Sequence, residues 1–101
     1  MTTSPDDLGG PPAGERRRVT IRNQRGLHAR AAAKFVKTAE GFDARVEVSK
    51  GGQSVSGRSI MGLMMLAAGP GCEVEIAADG ADADAALDAL EALIDGKFEE
   101  D

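Results

Sequence analysis

The chain has 101 residues, enough for one small domain, and its 17 acidic residues outnumber its 12 basic ones for a net charge of −5. That balance, with three Phe and neither Trp nor Tyr, argues against a nucleic-acid binder, which needs basic surface and aromatic stacking platforms. No apolar run reaches the roughly 18 residues of a membrane span, the start lacks the order of a secretory signal, and the single cysteine, Cys72, forms neither an internal disulfide nor a zinc cluster. The expectation is a small cytoplasmic protein without membrane insertion, metal or cofactor. Seventeen alanines dilute the 42% hydrophobic content, so the core must rest on few large side chains.

Residues 1–14, rich in Thr, Ser, Pro, Asp and Gly, cannot bury apolar area and are expected to form a disordered tail. Arg16-Arg17-Arg18 leads into a strand with Val19 and Ile21 on one face. A helix follows His28, with Ala32, Phe35, Val36 and Ala39 on one apolar face. Gly41 is expected to stop it in a left-handed conformation. Ala44, Val46 and Val48 alternate with Arg45, Glu47 and Ser49, the period of a half-buried strand; Gly51-Gly52 turns the chain and a short strand returns around Val55. Ser59 opens a short helix running to about Leu66, and Gly69-Pro70-Gly71 breaks the chain after it. The next strand carries Cys72, Val74 and Ile76 in phase, with Glu73 and Glu75 on the wet side. A final helix has Ala83, Ala86, Leu87, Leu90 and Ile94 on one stripe, with Asp82 and Asp84 in its first turn favouring the dipole. Residues 97–101 read as a frayed acidic end. The order β-α-β-β-α-β-α suggests an α+β sheet with helices on one face, whose strand order the spacing leaves open.

The chemistry concentrates at Gly26-Leu27-His28-Ala29-Arg30-Ala31. His28 stands where the first helix begins, and the amides of Ala29 and Arg30 have no partner one turn earlier. Those amides, with the positive end of the helix dipole, make an anion site. Arg30 adds a permanently charged donor suited to phosphate oxygens. Imidazole is nucleophilic near neutral pH, so beside such a cradle it can accept a phosphoryl group and give it away. No phosphate loop of the type GxxxxGK[ST] accompanies it, so the chain is not expected to use ATP by itself. On the residues alone, a helix cap or a plain surface histidine stands beside that reading.

Gly26-Leu27-His28-Ala29-Arg30 resembles the active-site signature of the HPr family, the histidine-containing phosphocarriers of the bacterial phosphoenolpyruvate-dependent phosphotransferase system. Ser59-Ile60-Met61-Gly62-Leu63-Met64-Met65-Leu66 resembles that family's regulatory-serine signature, and Ser59 follows His28 by thirty-one positions, as in the family. The resemblance runs over residues 19–94. It implies an open-faced β-sandwich: a four-stranded antiparallel sheet of order 1-4-2-3 with three helices on one face, here as a domain over residues 15–96. It also implies that His28 is phosphorylated on Nδ1 by enzyme I and hands the group to a IIA domain, with Arg30 as the active-site arginine. The chain is then a carrier and not an enzyme in its own right. Ala31 departs from the proline common in the family and resembles HPr-like proteins of the nitrogen-regulatory branch and of many proteobacteria, so regulation stands as an alternative to sugar uptake.

By the same resemblance Ser59 is a site for an HPr kinase/phosphorylase; read from its position alone it is a helix cap. A pure regulatory module acting through phosphorylated Ser59 is a further alternative, against which the presence of both His28 and Arg30 speaks. The second helix is too apolar all round to hide under one sheet: Leu63, Leu66 and Ala67 can face inward, leaving Ile60, Met61, Met64 and Met65 outward. With Leu27 they are expected to form an adaptable docking patch around His28. Lys34 and Lys37 read first as a solvated helix face, Cys72 as a buried packing residue, and the whole as a monomer.

Overall fold

The computed structural model describes residues 14–100, so all of the expected tail except Gly14, and Asp101, lie outside the described residues. Strand β1 spans Glu15–Thr20 and turns Arg17 and Val19 toward the helices. It lies at one edge of the sheet and pairs antiparallel with β4, Glu73–Asp79, in a register that sets Val19 opposite Val74. Strand β2, Arg45–Lys50, pairs antiparallel with β4 on its other side, and β3, Gln53–Ser56, completes the far edge. The order is β1-β4-β2-β3, the order the resemblance implied.

The β2–β3 hairpin closes on Gly51 and Gly52, both at positive φ (58° and 85°). Two left-handed residues in succession define the turn whose twist matches paired strands, and glycine adopts it without steric cost. Nothing crowds a Cβ at either position, so conformation alone selects glycine there.

Three helices cover one face. Helix α1, Ala29–Glu40, buries Ala31, Ala32, Phe35, Val36 and Ala39. Helix α2 is short, Ile60–Met65. Helix α3, Ala83–Asp95, buries Ala86, Leu87, Leu90 and Ile94 along the expected stripe. Arg17 fastens α3 to β1 by donating to Asp88 at 2.6 Å and to Glu91 at 2.9 Å. These bonds, Asp88 first, raise the guanidinium above its already high pKa. The other face of the sheet carries Arg16, Arg18, Glu73 and Glu75, with Arg16 donating to Glu75 at 3.0 Å.

Several details differ from expectation. Gly41 is right-handed (φ −76°, ψ −1°): α1 tightens in its last turn through Gly41 N–H to Thr38 O and Phe42 N–H to Ala39 O, so no left-handed residue is needed. Asp82 stands at the α3 N-cap, but its side chain does not bond the helix; its Oδ2 accepts the Asp43 N–H at 2.7 Å and ties α3 to the start of β2. Ala67 is exposed at φ 53°, just past the end of α2, and Ala68 fills the buried place instead. Cys72 is half-buried at the margin of the core.

The largest departure is at residues 97–100. These are not frayed. Lys97–Glu99 make a left-handed turn with φ of 58°, 55° and 64°, and Phe98 is fully buried in the main core. Left-handed non-glycine residues cost about 1–2 kcal/mol each. Full burial of a Phe side chain returns about 1.5–3 kcal/mol, and the bonds described below add to it.

Candidate functional site

The loop from β1 into α1 is shaped by Gly26. Its φ is +64°, and a Cβ there would lie 2.3 Å from Ala68 O. Leu27 N–H donates to Ala68 O at 3.0 Å, and Gly26 N–H to Asn23 O at 3.2 Å. Only glycine combines this conformation with so close an approach to the 68–69 backbone. The loop delivers His28 at the α1 N-cap in extended conformation.

His28 uses both ring nitrogens. Nδ1 accepts the Arg30 N–H at 3.3 Å, the bond of an N-capping side chain. An acceptor nitrogen holds its lone pair, so in the neutral ring the proton is on Nε2. Nε2 in turn meets Glu100 Oε2. Glu100 Oε1 also accepts from Asn23 Nδ2 at 3.2 Å, and Asn23 Nδ2 donates to Gly26 O at 2.8 Å. Asn23 is 1% exposed, so it braces the loop and the carboxylate from beneath. The bond from His28 holds the Glu100 carboxyl below its ordinary value of 4.5, aided by Asn23 and the charges of His28 and Arg25, against a smaller opposing effect of desolvation.

Arg30 is exposed on the first turn of α1 and pairs with no carboxylate among the described residues. Ala29 and Arg30 precede the first internal bond of the helix, Ala32 N–H to His28 O at 2.8 Å. Their amides, the helix dipole and the guanidinium together favour an anion beside Nδ1. A nucleophilic nitrogen on a partly buried ring, with an anion cradle and an exposed cation beside it, suits phosphoryl acceptance. Among the described residues no cluster of His, Cys, Asp and Glu could hold a metal. No helix among them is long and apolar enough to cross a membrane.

Ser59 caps α2: its Oγ accepts the Gly62 N–H at 2.9 Å. Beyond it Ile60, Met61, Met64 and Met65 are exposed, Met61 to 69%. Met64 shares one shallow depression with Arg25, Leu27 and His28, so the α2 patch and the histidine adjoin. Leu27 was expected in that patch, yet it is only 6% exposed; it anchors the loop in the core and offers little to a partner. Lys34 is not a solvated face either, because its Nζ donates to Phe98 O at 2.7 Å. Sequence reasoning missed Asn23, Arg25 and Glu100. The polar run Arg22-Asn23-Gln24-Arg25 beside the histidine was a usable signal for the first two.

Residues 15–96 match the family described as PTS HPr component phosphorylation site. The phosphocarrier protein NPr of Shewanella violacea is 49% identical over 84 residues, covering 83% of this chain and 92% of that protein. The phosphocarrier protein HPr of Cupriavidus necator is 50% identical over 84 residues, covering 83% and 94%. Among solved structures, HPr-C-His from Thermoanaerobacter tengcongensis superposes with a TM-score of 0.83 at 41% identity, over 86% of this chain and 98% of that one. With its sheet order, its three helices and these relatives, the chain belongs to the HPr family of phosphotransferase-system phosphocarriers.

Proposed function

We propose that His28 is the phosphoryl-accepting residue, charged by phospho-enzyme I and discharged to a IIA domain. The observation that carries this is the orientation of His28 Nδ1, which meets the Arg30 N–H at the positive end of α1. In the transfer, Nδ1 gives up its hydrogen bond from the Arg30 N–H and its lone pair bonds to phosphorus, while the donor's bond to phosphorus breaks and its electron pair leaves with the donor. The amides of Ala29 and Arg30 and the Arg30 guanidinium receive the phosphoryl oxygens. Stabilising charge as it develops is where such fixed donors contribute most. Discharge reverses the step with the IIA domain as acceptor. The chain is thus a covalent carrier and does not turn over a small substrate alone. Action as a cytoplasmic monomer is part of the same proposal.

Docking belongs to Ile60, Met61 and Met64, an exposed apolar set that adjoins the histidine through Met64 and suits several unlike partners. Ser59 is a regulatory phosphorylation site for an HPr kinase/phosphorylase, at the base of that patch. A nitrogen-regulatory output is the second reading. It is favoured by Ala31, fully buried in the α1–core packing, and by the NPr-named relative at 49% identity. Phosphoryl discharge to sugar-branch and nitrogen-branch IIA domains, offered separately, distinguishes the two. For the carrier reading itself, enzyme I with labelled phosphoenolpyruvate should place one acid-labile, base-stable label on each chain and none on His28→Ala. Label retained by that variant overturns the assignment.

A further inference from the structure

We propose that Glu100 is a positioning residue for His28: held by the left-handed turn at residues 97–99, its carboxylate accepts the Nε2 proton and so keeps Nδ1 as the nucleophilic nitrogen. The inference rests on phosphoryl acceptance at His28. Three observations support it. The first is the pairing of the ring, with Nδ1 toward the Arg30 N–H and Nε2 toward Glu100. The second is that the carboxylate is itself fixed, by Asn23 Nδ2 on its other oxygen. The third is the segment that delivers it. Phe98 is sunk in the core, Lys34 holds the Phe98 carbonyl, and Glu100 N–H donates to Lys97 O at 2.9 Å. Three successive non-glycine residues keep φ near +60° only where surrounding contacts over-determine them.

The chemistry gives this arrangement a purpose. When Nδ1 bonds to phosphorus, positive charge spreads over the ring. A carboxylate on the opposite nitrogen stabilises that charge and holds the ring plane, as the third member of a nucleophile–base–carboxylate set does. The proton remains on Nε2 throughout. When the group departs, the Nδ1–phosphorus bond breaks, its electron pair stays on Nδ1, and the ring is left as neutral imidazole and not as an anion.

The test uses the full chain with Glu100→Ala and Glu100→Gln, enzyme I and phosphoenolpyruvate. Initial rates are measured against carrier concentration, and the ring nitrogens of His28 are followed by 15N NMR. The expected result for Glu100→Ala is a fall in kcat of about tenfold or more, as for loss of a group that orients a histidine, with KM changed by less than about twofold. Glu100→Gln, which keeps an acceptor but no charge, should fall between. The 15N shifts of the neutral ring should move toward the other tautomer in Glu100→Ala. Wild-type kcat in a folded Glu100→Ala, or a change confined to KM, overturns the positioning role. So do 15N shifts identical to wild type. Absence of label on the wild type would instead overturn phosphoryl acceptance itself, so the two failures are distinct.

Discussion

At the scale of single residues, the site separates groups that build the loop from groups proposed to face the phosphoryl. Gly26 is a builder. In Gly26→Ala the left-handed φ and the clash with Ala68 O act together, and the loss should be about 2 kcal/mol or more. Thermal denaturation should register this as a fall of roughly 10 °C for a domain of this size. A melting point within a degree of wild type would show that the 68–69 backbone yields easily. Arg30 is the opposite case. Exposed on the first helical turn, it can be replaced by Ala for under about 1 kcal/mol of stability. On the proposed function its charge acts on the group in flight, so Arg30→Ala should lower kcat/KM for enzyme I-dependent phosphorylation by roughly a hundredfold. A wild-type rate would remove Arg30 from the site. Arg30→Ala thus separates transfer from folding, whereas Gly26→Ala strikes the loop that carries His28.

At the scale of elements, α2 and the 97–100 segment flank His28 and respond to different perturbations. Ser59→Ala removes a cap worth about 1 kcal/mol. Ser59→Asp keeps an acceptor at the N-cap but sets a charge at the base of the Met patch. It should raise the KM of enzyme I for the carrier at low salt, with the effect shrinking as salt is added. Equal KM values at low salt would leave Ser59 as a helix cap only. In the 97–100 segment the Glu100 carboxyl titrates below its ordinary 4.5 because His28 bonds the charged form. Its contribution to stability is therefore complete above that ordinary value and is lost as pH falls through the lower folded value. The stability gap between wild type and Glu100→Gln should accordingly close as pH falls below that ordinary value, as read by denaturant melts in an acid series started there. A gap that widens on acidification would reverse the sign. The elements also differ in how legible they are. Strict alternation around Val46 and Val48 and the Gly51-Gly52 pair specify the hairpin locally, and the Leu87–Leu90–Ile94 stripe specifies α3. Phe98 is one apolar residue among charges with no period, and its segment's partners, His28 and Lys34, lie 72 and 64 residues away from Glu100 and Phe98. Only the folded chain brings those groups together.

At the scale of the molecule, one core under one sheet carries both functional edges. Val19, Phe35, Leu63, Leu90 and Phe98 belong to the same buried cluster, so α1, α2, α3 and the segment after α3 are held relative to His28 by shared packing. Among the described residues that cluster runs from Val19 to Phe98, and residues 1–13 offer only Met1, Leu8 and Ala13 as apolar side chains. Removal of residues 1–13 should therefore leave the melting temperature and enzyme I-dependent phosphorylation unchanged. A drop of several degrees would show that the leading segment contributes to the fold. The resemblance at Gly26–Arg30 and at Ser59–Leu66 made the His28 site and the sheet order legible. The support behind His28 was not, because Asn23 and Glu100 act through contacts that no local pattern encodes. The central claim is that phosphoryl transfer runs through His28 Nδ1. It is tested most directly by charging 15N-histidine-labelled protein with enzyme I and phosphoenolpyruvate and recording the phosphorus–nitrogen couplings by NMR. The account predicts one phosphoryl group per chain, coupled to Nδ1 of His28, with Nε2 still bearing its proton. A phosphoryl group on Nε2, or on any other residue, would contradict it.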